Sequence, residues 1–572
     1  MDATPSNAPE PAPSVGPESF RSAIPALSQG ISRRSMLFGG AGLVVAPWIL
    51  AACGSSSSTA SSATSSASSG AAGGATTSAA AGAPGSTAVT SGASGAAKSG
   101  GTLRIARPPA STVETLDPAS SLSAYEYLGA LYSRLVKQDA SGGVAPDLAA
   151  SWSVSPDQMT WTFVLREGVT FHNGKAFTSA DAVYTLQHIL DPKTKSPQAG
   201  VLSPFLDSSG ITAKDAKTLV VKLKSPNAEF VSLLMNYNCY VIPAGSAATI
   251  GASGIGTGPF SLVSFKAAGK GTVKANPNYF GGAPKVDSIE FTAIADVQAR
   301  VNALLAQQVD LVAQTNLDFA TAKTVTASST ATTATVKNAA WYVMPMLYNA
   351  KPFTDLKVRQ AFKMAYDPQE VIDLSIHGLG TVAHNNPVPP TDPNYLNYSV
   401  PHDPDKAKSL LASAGFSGGQ QLYTSSYEPV MSILAQAYQS SVKSSGLDIS
   451  IQTASADSYY TDVWIKKPFC VSYWYTGRPV DQLLNQIFRT GSSYNESLWA
   501  DTSFDKILDS ARKEADAAKR KQYYQDAQKI LVDSSASIVP FFADRIIGLS
   551  KKVVNYKEFG FEFDYVNIGF GA

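Results

Sequence analysis

Apolar and polar positions alternate with two different periods after residue 97, and this predicts short strands interspersed with helices. Residues 102–106 alternate between apolar and polar side chains, as a half-buried strand does. Residues 161–165 and 218–223 are rich in β-branched and aromatic side chains and are also predicted to be strands. Strands that alternate with helices indicate α/β lobes. The segment 98–572 is too long for one hydrophobic core, so we expect at least two lobes.

The helix predictions depend on acidic residues that stand directly before apolar stripes. Asp296 and Asp355 each precede apolar residues at helical spacing. Asp403 does so too, with Pro404 at the first helical position, where a proline costs no backbone hydrogen bond. Residues 503–533 carry a longer periodic pattern, which we interpret as two helices.

The first 52 residues are predicted to be an export signal. Arg33 and Arg34 are followed by residues 36–52, which carry no charge and are interrupted by glycine and proline. This stretch is short for a membrane-spanning helix, which needs about 20 apolar residues. A basic segment before a modest apolar core is typical of a secretory signal peptide. The arginine pair resembles a twin-arginine signal. The alternative is a general secretory signal in which the arginines only supply charge.

A cysteine and a low-complexity segment follow this signal. Residues 50–54 read LAACG and resemble the bacterial lipobox, in which the cysteine becomes the lipidated first residue. The alternative is a chance cysteine after small residues. Residues 54–97 consist almost entirely of Gly, Ser, Ala and Thr and cannot bury enough apolar surface to fold. We therefore expect Cys53 to be lipidated, and residues 53–97 to tether a globular body to the extracytoplasmic face of the cell membrane, in the periplasm or cell-wall space.

Composition excludes several classes of protein. The chain has 45 Lys and Arg against 44 Asp and Glu, and this neutral balance argues against nucleic-acid binding. Its three cysteines exclude a disulfide scaffold and a four-thiolate metal site. The sequence contains no H-E-x-x-H, G-x-S-x-G or phosphate-loop pattern, and its five histidines lack metal-ligand spacing. We therefore expect no catalytic residues, no metal and no cofactor.

The order of motifs along the body resembles that of a known family. The motifs are APDLAASW at 145–152, WTFVLREGVTFHNG at 161–174, FTSADAVY at 177–184, GTGPF at 256–260, NPNYF at 276–280, VNALL at 301–305, PFTD at 352–355 and DPDKAK at 403–408. Each motif alone is weak, but the ordered set covers essentially all of residues 100–545. It resembles the family 5 extracellular solute-binding proteins, the peptide- and nickel-binding components of ABC importers.

The resemblance implies an α/β, two-lobe fold like that of the large type II periplasmic binding proteins. Lobe 1 would hold residues 98–349, with an extra subdomain, and the returning segment 537–572. Lobe 2 would hold residues 350–536, and the ligand cleft would lie between the lobes. The segments Tyr348-Asn349-Ala350 and 537–540 would form the crossovers.

The implied function is the capture of a peptide or peptide-like solute by a monomer that delivers it to a membrane permease. The alternatives are an oligosaccharide or another polar metabolite as ligand, and a sensory or adhesion module on the same fold. A secreted enzyme on this scaffold is disfavoured because the nucleophile and metal patterns are missing. Cys239 and Cys470 would fall in different lobes, so we expect two unpaired buried thiols.

The stretch FCVSYWYTGRPVD at 469–481 is the predicted ligand-facing segment. Peptide-binding relatives have a pattern similar to W-x-x-D here, and the acid pairs with the ammonium group of the peptide. Trp474 matches, but Gly477 occupies the acid position and Arg478 follows it. A guanidinium suits carboxylate or phosphate oxygens, so we hypothesise that Arg478 binds an anionic end of the ligand. The alternative is that Arg478 pairs with Asp481 or a neighbouring acid and only shapes the loop.

Aromatic side chains complete the set of candidate contacts. Trp474 and Tyr475 are neighbours on a predicted strand, so only one of them is expected to face the ligand. Tyr125 and Tyr127 would share a face if their segment is extended. Trp341 precedes the first crossover, and Asn349 lies in it. Aromatic rings suit a tolerant pocket, although an aromatic residue is often part of a core instead.

Overall fold

The computed structural model describes residues 95–108, 114–140, 142–313, 316–425, 427–456, 458–559 and 562–571. The predicted signal, the lipidation site at Cys53 and nearly all of the predicted tether lie outside these residues. Among the described helices, none combines the length and the apolar character that a membrane span requires.

A ten-stranded mixed sheet is the largest element of the described residues. Its main path runs in the order Ser472–Tyr475, Ala331–Pro345, Phe541–Ser550, Leu311–Val312, Thr102–Arg107, Ser288–Ala293, Lys270–Ala275 and Phe260–Phe265. Gly380–Val382 pairs with Phe541–Ser550, and Ser537–Ile538 pairs with Ala331–Pro345. The predicted strand at 102–106 is confirmed as Thr102–Arg107, with Leu103 and Ile105 fully buried.

The strands of a second, antiparallel sheet follow the first strand of the large sheet along the chain and precede its other strands. It has the order Ala149–Val154, Thr160–Leu165, Thr218–Lys222 and Ile211–Asp215. Trp161 and Phe163 project from it into a hydrophobic core of its own, which the helix Ser179–Leu190 covers. The sheet, this helix and their shared core form a subdomain of the first lobe. The two strands predicted here are confirmed.

Smaller pairings complete the strands. They are Ala97–Lys98, Gly569–Gly571 and Val553–Val554 in one sheet, Val136–Gln138 with Val144–Pro146, Glu558–Phe559 with Glu562–Phe563, and the parallel pair Gly419–Ser425 with Asp448–Ala454.

The helices begin where the acidic caps predicted them. Asp296 Oδ1 accepts a hydrogen bond from the N–H of Ala299, and Asp403 Oδ1 accepts one from that of Lys406. The helices of seven or more residues are Tyr125–Leu131, Ser179–Leu190, Val297–Leu305, Phe319–Ala327, Leu356–Met364, Pro368–Ile376, Pro404–Ser413, Pro429–Ser441, Val480–Ile487, Thr502–Lys513 and Ala517–Ser534. The last two confirm that residues 503–533 form two helices.

Short helical turns connect these elements. They are Ala199–Leu202, Phe230–Leu233 and Ile250–Ser253, the 3₁₀ turns Pro192–Thr194, Ser208–Gly210, Tyr237–Cys239 and Val442–Ser445, and the π turn Tyr459–Val463.

The hydrophobic cores divide the body into two lobes. One core contains buried residues between Trp341 and Ala543. The other cores contain residues before 337 and after 545. Two long strands, Ala331–Pro345 and Phe541–Ser550, run without a break from one lobe into the other.

The cores place the crossovers at about residues 337–340 and 544–545. The predicted crossovers at 348–350 and 537–540 lie elsewhere, because Met346 and Ile538 already belong to the core of the second lobe. The chain stays in strands where it passes between the cores. Asn338 has a left-handed φ of 50° at this point, but one asparagine within a strand does not by itself predict a crossover.

Candidate functional site

A narrow recess lies where the two lobes meet. The residues that line it are Gln138, Ser232, Met235, Asn236 and Glu562 from the first lobe, and Gly477, Arg478, Pro479 and Gln482 from the second. The open space between them is about 10 Å³, which is room for about one water molecule. The predicted segment at 469–481 therefore lies at the interface between the lobes, with Gly477 and Arg478 facing the first lobe.

A tight turn after the strand Ser472–Tyr475 positions Arg478. Gly477 has φ of 97°, in the left-handed region that favours glycine, and the helix Val480–Ile487 begins after Pro479. The turn folds the side chain of Arg478 back over the strand. Its Nη1 donates to the carbonyl oxygen of Tyr475 at 2.8 Å, and its guanidinium carbon lies 5.2 Å from the centre of the Trp474 ring.

Within the part of the chain that the structure describes, Arg478 forms no ion pair with a carboxylate. Asp481, the predicted alternative partner, accepts hydrogen bonds from Arg512 Nε and Nη2, both at 2.9 Å, and from the hydroxyl of Tyr524. Burial lowers the pKa of Arg478, and the nearby Tyr237 partly offsets this effect. A partly buried cation without a paired carboxylate is less well solvated than one in open water.

Trp474 and Tyr475 lie on opposite faces of their strand. Trp474 stands directly across from Trp341, the two rings stack with centres 6.3 Å apart, and Trp474 Nε1 donates to Glu496 Oε2 at 2.8 Å. Trp341 is fully buried and belongs to the core of the second lobe. Tyr475 is 53% exposed. Tyr475 is therefore the accessible aromatic side chain of the pair, and Trp341 has the surroundings of a core residue.

Tyr125 and Tyr127 do not share a face, because their segment is the helix Tyr125–Leu131 and not an extended strand. Positions two apart on a helix point in nearly opposite directions. Tyr125 packs edge-on against Tyr237, with ring centres 4.7 Å apart, close to the recess. Tyr127 is fully buried against Phe265 and Phe291. Tyr127 therefore has the surroundings of a core residue, and Tyr125 lies nearer to the recess.

The remaining predicted residues lie away from the recess. Asn349 is exposed in a turn of the second lobe and does not line the recess. Cys239 and Cys470 are free thiols buried in the cores of different lobes. Burial raises the pKa of Cys239 to about 12. Among the described residues, no group of three or more His, Cys, Asp or Glu side chains is arranged to hold a metal ion.

The structure also brings together residues that the sequence analysis missed. Tyr473 and Tyr475 project from the same face of their strand, and Tyr342 stands opposite Tyr473. Glu428 lies beside Tyr342 at the start of the helix Pro429–Ser441. The alternation Y-x-Y at 473–475 was the available signal for the tyrosines. Glu428 had none, since it is 45 positions or more from its neighbours in this group along the chain.

Comparisons with known proteins agree with this architecture. The family model described as bacterial extracellular solute-binding proteins, family 5 middle, matches residues 143–496. A dipeptide-binding protein of Pseudomonas aeruginosa is 27% identical over 484 residues, which cover 77% of this chain and 90% of that protein. A glutathione-binding protein of Pectobacterium atrosepticum is 27% identical over 450 residues, which cover 74% of this chain and 86% of that protein.

Solved structures show the same fold. The periplasmic binding protein DppA from Helicobacter pylori, in complex with the peptide STSA, matches with a TM-score of 0.68 and 22% identity, covering 83% of this chain and 99% of that chain. The family match spans more than half of the chain and includes recess residues of both lobes, among them Asn236 and Arg478. The chain belongs to the family 5 bacterial extracellular solute-binding proteins.

Proposed function

We propose that the protein is the substrate-binding component of an ABC importer, and that it captures a peptide or peptide-like solute outside the cell membrane and delivers it to the permease. The ligand carries an anionic group that binds Arg478. The observation that carries this proposal is a guanidinium at the interface between the lobes that has no carboxylate partner among the described residues.

The two-lobe architecture supports capture by closure. A ligand that contacts both lobes favours the closed form, since its contacts are complete only there. Arg478 of the second lobe lines the recess together with Asn236 and Glu562 of the first. The Glu562 carboxylate is already paired with Arg134, so an anionic group bound to Arg478 would join the lobes. Tyr125 and Tyr475 offer aromatic surface on the two sides, which suits ligands of varied side chains. Relatives are named for dipeptides and for di- or tripeptides.

The N-terminal segment supports the location of this activity. In the proposal, residues 1–52 direct export by the twin-arginine route and Cys53 carries the lipid. Residues 53–97 hold the monomeric binding domain near the permease. The neutral charge balance is consistent with a small solute as ligand and with no role in nucleic-acid binding.

Native mass spectrometry of the purified full chain tests this function. We expect a random mixture of tripeptides to add mass to the protein, and small-angle scattering to show a decrease in its radius of gyration on binding. The bound peptides should be recovered chemically unchanged. A protein that ignores peptides and instead retains an oligosaccharide, or that releases altered products, would contradict the proposal.

A further inference from the structure

A cavity larger than the recess lies between the subdomain of the first lobe and the second lobe. Its volume is about 600 Å³, within the range of about 300–1,000 Å³ that is common for ligand pockets. The residues that line it include Trp152, Val154, Gln158, Trp161 and Glu229 of the subdomain and Arg520 of the second lobe. The turn Phe230–Leu233 separates it from the recess, since Val231 lines the cavity and Ser232 lines the recess.

Two buried polar side chains that line this cavity have no hydrogen-bond partner among the described residues. Trp161 is 3% exposed, and its Nε1 is a buried donor without an acceptor. Gln158 is 4% exposed, and its backbone N–H donates to the carbonyl oxygen of Ser155 at 2.8 Å, whereas its side-chain amide is unpartnered. Because an unsatisfied buried polar group is unfavourable, these positions favour a ligand that offers hydrogen-bonding oxygens.

The same side of the cavity also offers an apolar surface. Trp152 and Val154 alternate with other residues along the strand Ala149–Val154 and so lie on one of its faces. Val154 stands directly across from Trp161 on the neighbouring strand, which places all three side chains on the same face of the sheet. Trp152 is only half-buried, so its ring is available for packing against the apolar face of a ligand.

The charges that line the cavity neutralise each other. Glu229 and Arg520 are the charged residues of the lining, and Arg520 Nε lies 2.5 Å from Glu229 Oε1. A charged ligand would therefore enter without a free counter-ion, and this favours a neutral one. A sugar ring is neutral, has an apolar face of C–H groups, and carries hydroxyls that both donate and accept hydrogen bonds.

We propose that this cavity binds a neutral sugar ring that packs on Trp152 and forms hydrogen bonds with Gln158 and Trp161. The amide of Gln158 both donates and accepts, so it suits two neighbouring hydroxyls, and the indole N–H of Trp161 donates to a further oxygen. The site shares no lining residue with the recess, so the inference goes beyond the proposed function and does not depend on it.

Calorimetric titration of the full chain with three neutral trisaccharides tests the site. The probes are maltotriose, cellotriose and tri-N-acetylchitotriose, and a mixture of N-acetylated, C-amidated tripeptides is titrated alongside them. Trp161→Phe removes the indole N–H and keeps an aromatic ring. Gln158→Asn withdraws the amide from the cavity and tolerates the left-handed φ of 59° at this position. Thermal melts check that both variants fold.

Two matched variants carry the same substitutions away from the cavity. Trp341→Phe removes another buried indole N–H that has no partner among the described residues, in the core of the second lobe. Gln307→Asn changes an exposed glutamine that also has a left-handed φ, of 58°. Neither residue lines the cavity, so both variants should bind sugar as the wild type does.

We expect at least one trisaccharide to bind the wild type with a dissociation constant of about 1 mM or tighter, and Trp161→Phe and Gln158→Asn each to weaken it by about tenfold. The proposal is overturned if none of the three sugars binds, or if the two cavity variants bind as the wild type does. It is also overturned if only the capped tripeptides bind and lose affinity in these variants.

The sugar site and the proposed function fail separately. Binding of free tripeptides should be unchanged in Trp161→Phe and Gln158→Asn, because neither residue lines the recess. A wild type that binds free tripeptides and none of the sugars overturns the sugar site alone. A wild type that binds a sugar and no peptide overturns the proposed function alone.

Discussion

The carboxylate of Asp544 lies 2.6 Å from the ammonium group of Lys337, on the neighbouring strand, where both strands pass from one lobe into the other. The other oxygen of Asp544 accepts from the N–H of Asn338 at 3.0 Å. The strand pairing is irregular between Val336 and Ala340, and Asn338 has a left-handed φ of 50°. Asp544 therefore fixes the irregular backbone of a crossover with two hydrogen bonds.

Replacing Asp544 should destabilise the protein more than replacing its partner. Asp544→Ala leaves the buried N–H of Asn338 without an acceptor, which costs about 2–3 kcal/mol of unfolding free energy. The side chain of Lys337 is half-exposed, so Lys337→Ala should cost about 1 kcal/mol or less. Urea denaturation measures both. Equal losses would show that the ion pair, and not the backbone hydrogen bond, is the important contact.

Glu126 should make stability depend on pH. It is buried in the first turn of the helix Tyr125–Leu131, its Oε1 has no hydrogen-bond partner among the described residues, and burial raises its pKa from 4.5 to about 7. The folded state therefore binds the proton more tightly than the unfolded state. The stabilisation is complete below about pH 4.5 and is lost as the pH rises through about 7.

Glu126→Gln should remove this dependence. The free energy of unfolding of the variant minus that of the wild type should be about 3 kcal/mol larger at pH 8 than at pH 4.5. The difference between variant and wild type is the quantity to measure, because burial also raises the pKa of Glu229 to about 7 and that group titrates in both proteins. A difference that is the same at both pH values would show that Glu126 ionises normally in the fold.

Local signals allowed much of the fold to be predicted. The alternation at 102–106 and the caps Asp296 and Asp403 act over a few residues, and each predicted element formed. The crossovers near 338 and 544 could not be found in this way, because the chain stays in continuous strands there.

Only part of the candidate site could be predicted from local sequence patterns. Arg478 stood out because its charge follows Gly477, at the position where the family pattern is expected to carry an acid. The placement of Tyr127 depended on whether its segment was a helix, and the group around Glu428 depends on contacts between distant parts of the chain. Such contacts follow from tertiary packing and leave no pattern in one sequence.

Replacing Tyr127 should mainly lower stability, and replacing Tyr475 should mainly weaken peptide binding. Tyr127→Ala removes a fully buried ring and should cost about 3–5 kcal/mol of stability. Tyr475→Ala changes an exposed ring and should cost about 0.5 kcal/mol or less, but it should weaken peptide binding. Chemical denaturation and calorimetry on the same variants measure the two effects. Tyr127→Phe is the control that retains the packed ring. A Tyr475→Ala variant with unchanged affinity would remove that tyrosine from the site.

Arg478 should discriminate between ligands by their carboxylate. Arg478→Ala should weaken binding of free tripeptides by about tenfold to a hundredfold, and should change binding of C-terminally amidated tripeptides much less. Arg489→Ala is the matched control, since Arg489 lies just past the same helix and pairs with Asp509. Unchanged affinity of Arg478→Ala for free peptides would exclude the anionic contact.

Arg520 and Glu229 join the lobes away from the recess. Arg520 Nε on the helix Ala517–Ser534 lies 2.5 Å from Glu229 Oε1 in the subdomain, and the N–H of Ala228 donates to the carbonyl oxygen of Arg512 at 2.8 Å. Both charged side chains are about one-fifth exposed. Since this ion pair crosses between the lobes, it stabilises the closed form relative to an open one.

Arg520→Ala should therefore weaken peptide binding, although Arg520 lies away from the proposed peptide contacts. We expect an affinity loss of several-fold, mainly through faster dissociation, because the closed form loses a contact that an open form lacks. Stopped-flow dissociation of a bound tripeptide and the radius of gyration of the loaded protein measure this. Lys217→Ala is the control, because its ion pair with Glu167 lies within the subdomain. If both variants release the peptide at the wild-type rate, the Arg520 contact does not contribute to closure, and the ligand contacts at the recess alone hold the lobes together.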